Sequence, residues 1–203
     1  MSPPPPSSIP RDAAELQARF EAYSRLHAAA ATAAFGEKLP IPEIVMIGGQ
    51  SDGKSSLLEA LLGFRFNVRK VKMDTRRPLV VRMVHDPTAV EPRCRFQEED
   101  SEEYGSPMVA ATAISDLIKQ RTESHLGRIN AAVSSKPIVM RTEFAHCPNL
   151  IIIDTPGLVL KVQYREAKRD EPEGTPEEIK FIVKKLASPS HRLLLFLQQS
   201  SVP

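Results

Sequence analysis

Apolar positions along this chain keep two different rhythms. Leu16, Phe20, Tyr23 and Leu26 recur every three or four residues, and Ile114, Leu117, Ile118 and Leu126 fall roughly on one side of a helix. That spacing paints one stripe along an amphipathic helix. Elsewhere the apolar residues come in short runs, at 44–47, 79–85, 93–97, 137–144, 150–154 and 193–197. Runs of that length, bounded by proline, glycine or charged loops, read as strands. Local signals mark the helix ends. Asp12 with Glu15 forms a capping box and Gly36 terminates the first helix, predicted over residues 13–35. The second is predicted over 110–129. Thr175 as N-cap, Pro176 in the first turn and Glu178 open a third, which ends near Ala187 before Pro189. The last run, 193–197, is wholly apolar, as expected of a strand buried on both faces. Helices and strands are interleaved along the chain, with two pairs of strands following each other directly. The fold class expected is therefore α/β: a three-layer α/β/α arrangement, a mostly parallel sheet with helices on both faces.

The chain has 203 residues, enough for one domain with a small appendage. Residues 1–10, with four consecutive prolines, read as a disordered tail; an SH3-type ligand is the rival reading. Residues 11–39 hold the first helix and 40–203 the α/β domain. A net charge of +2 argues neither for nor against nucleic acid. No stretch approaches the length that spans a bilayer, and no charged-then-apolar leader opens the chain. Cys94 and Cys147 lack metal-ligand spacing and read as reduced thiols of a cytoplasmic protein. The acidic run 98–103 reads as a solvated loop.

One segment changes the picture. Gly48-Gly49-Gln50-Ser51-Asp52-Gly53-Lys54-Ser55 follows the first strand and precedes the apolar helix opening with Ser56-Leu57-Leu58. Strand, glycine loop and helix, with glycine and Gly-Lys-Ser four residues apart, make a P-loop. Backbone amides converging at a helix N-terminus hold phosphates, and the helix dipole favours their charge. Gly48 and Gly53 permit the torsions needed. Lys54 is expected to reach the β- and γ-phosphates, and the Ser55 hydroxyl to ligate Mg2+.

A second motif follows at Asp154-Thr155-Pro156-Gly157. An aliphatic strand ends in an acid that can hold Mg2+ through water, and three residues on a glycine amide can meet the γ-phosphate. An ordinary strand-turn is the bland alternative. Behind a P-loop, Asp-x-x-Gly favours a GTPase over an ATPase or kinase of the P-loop class. Thr75 lies in the basic loop between the motifs, where a threonine can close over Mg2+ and the γ-phosphate. Arg76 and Arg77 beside it are expected to be structural or surface residues rather than catalytic fingers.

In this order, Gly-Gly-Gln-Ser-Asp-Gly-Lys-Ser-Ser, Thr-Arg-Arg-Pro and Asp-Thr-Pro-Gly resemble the GTPase domain of the dynamin superfamily. The resemblance covers residues 20 to 201. It implies GTP as substrate with Mg2+, and a monovalent cation, K+ or Na+, held by Ser51. It implies a catalytic set of Gln50, which places the attacking water, Ser51, Thr75 and the Gly157 amide. It implies that Gly48, Gly49, Gln50, Ser51, Asp52, Gly53, Lys54, Ser55, Ser56, Asp154, Thr155, Pro156 and Gly157 bind nucleotide, with Ser55, Thr75 and Asp154 at the metal. Lys70 and Lys72 stand where many members carry glycines, and 158–160 is more apolar than usual. The resemblance further implies self-association through GTPase domains and a stalk, a membrane surface and microtubules as partners, and no nucleic acid. It places the protein in the cytoplasm, peripheral to membranes, at the cell plate or phragmoplast of dividing plant cells.

The family's guanine-reading Lys-x-Asp motif belongs beyond the strand at 193–197. The expected G domain is thus incomplete at its C-terminus, and the alternative is a non-catalytic fragment acting only as an interaction module. The strand at 193–197 is expected beside the P-loop strand, as an open and aggregation-prone edge.

Overall fold

A computed structural model of the chain describes residues 18, 22, 43–50, 52–62, 64, 75–99, 101, 103–147, 149–158 and 174–199. Every strand and helix named below lies in the second of two units, Pro42–Pro203. Of the expected first helix, Ala18 and Ala22 are helical and exposed. The rest of it, the tail, Lys70, Lys72 and the segment 159–173 lie outside the described residues.

The strand runs form β1 (Glu43–Gly48), β2 (Leu79–His85), β3 (Arg93–Phe96), β4 (Ile138–Phe144), β5 (Leu150–Asp154) and β6 (Arg192–Leu197). The helical stretches form α1 (Lys54–Leu62), α2 (Ala111–Ile129) and α3 (Thr175–Ala187). Pro176 sits in the first turn of α3, but Gly174 takes the cap position expected of Thr175.

The sheet order is β3-β4-β2-β5-β1-β6. β1 runs parallel to β5 and β6, and β2 parallel to β4, while β2 meets β5 and β3 meets β4 antiparallel. The sheet is therefore mixed. Alternation sorts side chains to its two sides. On one, Leu58 and Leu62 of α1 and Ile114 of α2 pack with Met46, Val81, Met83, Met140 and Ile152. On the other, Ile179, Ile182 and Val183 of α3 pack with Val45, Ile47 and Ile153. Helices thus cover both faces, giving three layers. No described helix is long and apolar enough to cross a membrane.

Strand direction positions the site. Met46 of β1 pairs with Asp154 of β5, so both strands release their loops at one edge. Leu79, the first residue of β2, also lies opposite Asp154, because β2 runs the other way. The residues just before β2 therefore arrive at the same edge, which brings Thr75 there.

One expectation fails. β6 does pair along its whole length with β1, but it is not buried on both faces. Phe196 is 71% exposed and Leu193 61%, and these two face opposite sides. Burial on both faces needs covering elements that a local apolar run does not itself encode. An uncovered, apolar terminal strand invites edge pairing. Changing Leu193→Lys and Phe196→Lys together is expected to raise the concentration at which the chain elutes as one species in size-exclusion chromatography. Unchanged aggregation would place the adhesive surface elsewhere.

Candidate nucleotide-binding site

The loop after β1 has the conformation its glycines permit. Gly53 has φ +88°, the left-handed region where a side chain is strained. A Cβ on Gly157 would stand 3.0 Å from the backbone nitrogen of Gln50, so only glycine lets the Asp-x-x-Gly turn lie against the loop. Two further bonds fasten that turn. The Leu158 amide donates to Gly48 O at 3.0 Å, and buried Thr155 donates its hydroxyl to Met46 O at 2.6 Å.

Lys54 opens α1 and is buried; its Nζ donates to Gly48 O at 3.1 Å and Gly49 O at 2.7 Å. Burial pulls its pKa down, opposed by the charges of Asp154 and Asp52. Asp52 accepts the Gly49 amide at 2.7 Å, bracing the loop across three residues. Gln50 is exposed at the tip and Ser56 on the first turn of α1, while Pro156 is buried in the turn. Ser51 lies outside the described residues.

The hydroxyls of Ser55 and Thr75 both donate to Asp154 Oδ2, at 3.4 and 3.3 Å. The three metal candidates are thereby brought together, across separations of 99 and 79 residues in sequence. The other carboxylate oxygen, Oδ1, is buried without a hydrogen-bond partner. An orphaned oxygen of this kind carries a desolvation cost that a cation would remove. Among the described residues no cluster of three or more His, Cys, Asp or Glu could hold a metal. One carboxylate and two hydroxyls fit Mg2+, which keeps waters and takes phosphate oxygens rather than a full protein cage.

Sequence reasoning missed what holds Thr75 in place. Arg77, two residues on, is buried and points away from the loop. Its guanidinium donates to Lys136 O at 3.0 Å, Arg121 O at 2.8 Å and Glu99 Oε1 at 2.8 Å. The Ser134 amide bonds Arg76 O at 3.1 Å. Glu99 belongs to the acidic run expected to be solvated. It is instead paired, with Arg128 and Lys136 also within 4 Å. The only sequence signal was an arginine beside a candidate switch threonine, with nothing to name its partner.

A parallel P-loop strand, an Asp-x-x-Gly turn beside it and a threonine delivered to the same carboxylate define a P-loop α/β domain. Residues 44–203 match the dynamin family, and the chain belongs to that family. It is similar to dynamin-related protein 5A of Arabidopsis thaliana, 72% identical over 93% of this chain and 22% of that protein. It is also similar to dynamin-like protein C of Dictyostelium discoideum, 35% identical over 79% of this chain and 22% of that protein. Dynamin-like protein ARC5 of Arabidopsis thaliana is 35% identical over 69% of this chain and 18% of that protein. The chain thus spans about a fifth of the length of these relatives.

Asp154 gives the site a pH signature. Burial pushes its carboxyl from 3.8 up to about 6, against the pull of Lys54, Thr75 and Ser55. A raised pKa in the folded state favours folding while the group is protonated. That stabilisation is complete below about 4 and is lost as pH rises through about 6. Urea unfolding with chelator present is expected to show Asp154→Asn gaining on wild type between about pH 4 and pH 7, by on the order of 2–3 kcal/mol. A pH-independent difference would contradict the burial argument.

Proposed function

We propose that this chain is the GTP-binding and GTP-hydrolysing domain of a dynamin-related large GTPase. One observation carries the reading: Lys54, Ser55 and Thr75 converge on Asp154, whose second oxygen is buried and unbonded. Loop amides from Gly49 to Ser56 cradle the phosphates, and the N-terminus of α1 adds its dipole. Lys54 offsets charge on the β- and γ-phosphates. Mg2+ at Ser55, Thr75 and, through water, Asp154 would neutralise charge developing as the γ-phosphoryl leaves. Gln50 and Thr75 orient the attacking water, and the Gly157 amide binds a γ-phosphate oxygen. Thr155 and Pro156 fix the turn that aims that amide. A monovalent cation beside Ser51 and the choice of guanine are supported by the family alone.

The wider setting we propose is membrane remodelling by self-assembly, with the cell plate of dividing plant cells and its microtubules as the site of action. The similarity to dynamin-related protein 5A, 72% identical over 189 residues, supports this placement. The dynamin family name supports self-association and a membrane partner.

Two variants of the complete protein test the mechanism. Lys54→Ala is expected to weaken binding of fluorescent GTP by about a hundredfold or more, since it leaves the Asp154 charge uncompensated. Thr75→Ala is expected to leave binding within a few-fold of wild type and to lower turnover by about a hundredfold or more. Unchanged turnover in the threonine variant would reject its assigned role. Equal competition by ATP and GTP would reject the guanine assignment.

A further inference from the structure

The sheet carries a second concentration of charge away from the phosphate loop. Arg82 of β2 stands directly opposite Arg141 of β4, and Arg141 directly opposite Arg95 of β3. Residues directly opposite project from the same face. The three arginines therefore form a row across the strands, spanning roughly 10 Å at the usual strand spacing. Their face is the one that α3 covers over β1 and β5, for Val80, two residues before Arg82, packs against the cluster that α3 builds. Beyond Val80 that cover gives out. Arg82 is exposed, and Arg95 and Arg141 are half-buried.

Folding alone does not explain this row. Like charges directly opposite each other on a sheet are destabilising. Among the described residues, Arg141 has a carboxylate partner, Glu143 at 2.9 Å, and Arg82 and Arg95 have none within ion-pair distance. Arg82 donates to the Tyr104 hydroxyl at 3.4 Å, a neutral group that offsets no charge. Arg93, opposite Glu143, adds a fourth cation on the same face, held within the field of Asp86.

We propose that this face docks an extended acidic peptide segment of a partner protein. The planar guanidinium fork matches carboxylates two bonds at a time. The ranks on either side of the arginine row supply the remaining specificity. Val80 and Val139 stand on one side and Val84 on the other, all half-buried. The cationic row thus has an apolar position on each side along β2, and the rank of Val84 also holds Glu143 and Arg93. That pattern suits an extended chain whose every second residue faces the sheet, with acidic and apolar side chains taking turns at those facing positions. A lipid headgroup layer offers nothing to the valines, and Glu143 repels a uniformly anionic plane.

Fluorescence anisotropy of a short labelled peptide with glutamate and valine taking turns at every second residue, separated by serines (Val-Ser-Glu-Ser-Val), tests the proposal on the 203-residue chain. Wild type is expected to bind it at low salt. Arg82→Gln with Arg95→Gln is expected to weaken that binding about tenfold or more, as loss of charge-assisted pairs should. Lys184→Gln with Lys185→Gln, at exposed positions on α3, should change it less than about twofold. The charge-reversed pair Arg82→Glu and Arg95→Glu should reject this peptide and accept the one with lysine in place of each glutamate. The glutamine pair is expected to melt no lower than wild type, since it relieves repulsion. Equal losses in the arginine and lysine variants would overturn the proposal in favour of bulk charge. Capture by phosphatidylserine vesicles without peptide binding would overturn it in favour of a lipid surface.

Discussion

A carboxylate sealed away from water beneath a glycine loop organises this domain. Asp154 ends β5 with one oxygen bonded and the other bare, and burial holds its proton affinity high. Everything placed near it answers that cost. Lys54 brings opposing charge, and Ser55 and Thr75 bring hydroxyls. A buried charge without compensation costs several kcal/mol, so the groups that meet it are constrained in position as tightly as in type. The same expense that weakens the fold at neutral pH is what a divalent cation would relieve, which makes ligand affinity and local instability two views of one oxygen.

The architecture around that oxygen depends on strand direction. β1 and β5 deliver their C-terminal ends, as a parallel pair must. β2 lies antiparallel to β5 and so delivers its beginning. Thr75 then reaches Asp154 from a loop whose far end is tied down by Arg77. The guanidinium binds the Arg121 carbonyl in the middle of α2 and the Lys136 carbonyl in the segment before β4, together with the Glu99 carboxylate. A switch loop hinged on such an anchor has one fixed end. The position of the Thr75 hydroxyl therefore depends on packing some distance from the P-loop.

Much of this was legible in the residue order because it is local. The periodicity of α2, the Pro176 signal of α3 and the alternation of β4 depend on neighbours a few residues apart. So does the need for a left-handed glycine at Gly53. What failed depends on distant partners. The run at β6 looked doubly buried because apolar content reports a preference for burial, not the presence of a covering layer. Glu99 looked solvated because nothing near it in sequence names Arg77, 22 residues away. The reversal of β2 was equally hidden, since alternation is the same in either direction.

Gly48 shows how closely binding and assembly are joined. A Cβ at that position would sit 2.6 Å from the carbonyl oxygen of Leu197, a backbone atom with no freedom to withdraw. Alanine there would act as a wedge driven between β1 and its outer neighbour β6. Its first effect would be to prise the sheet apart at the point where the loop departs, and lost nucleotide affinity would follow as a secondary injury.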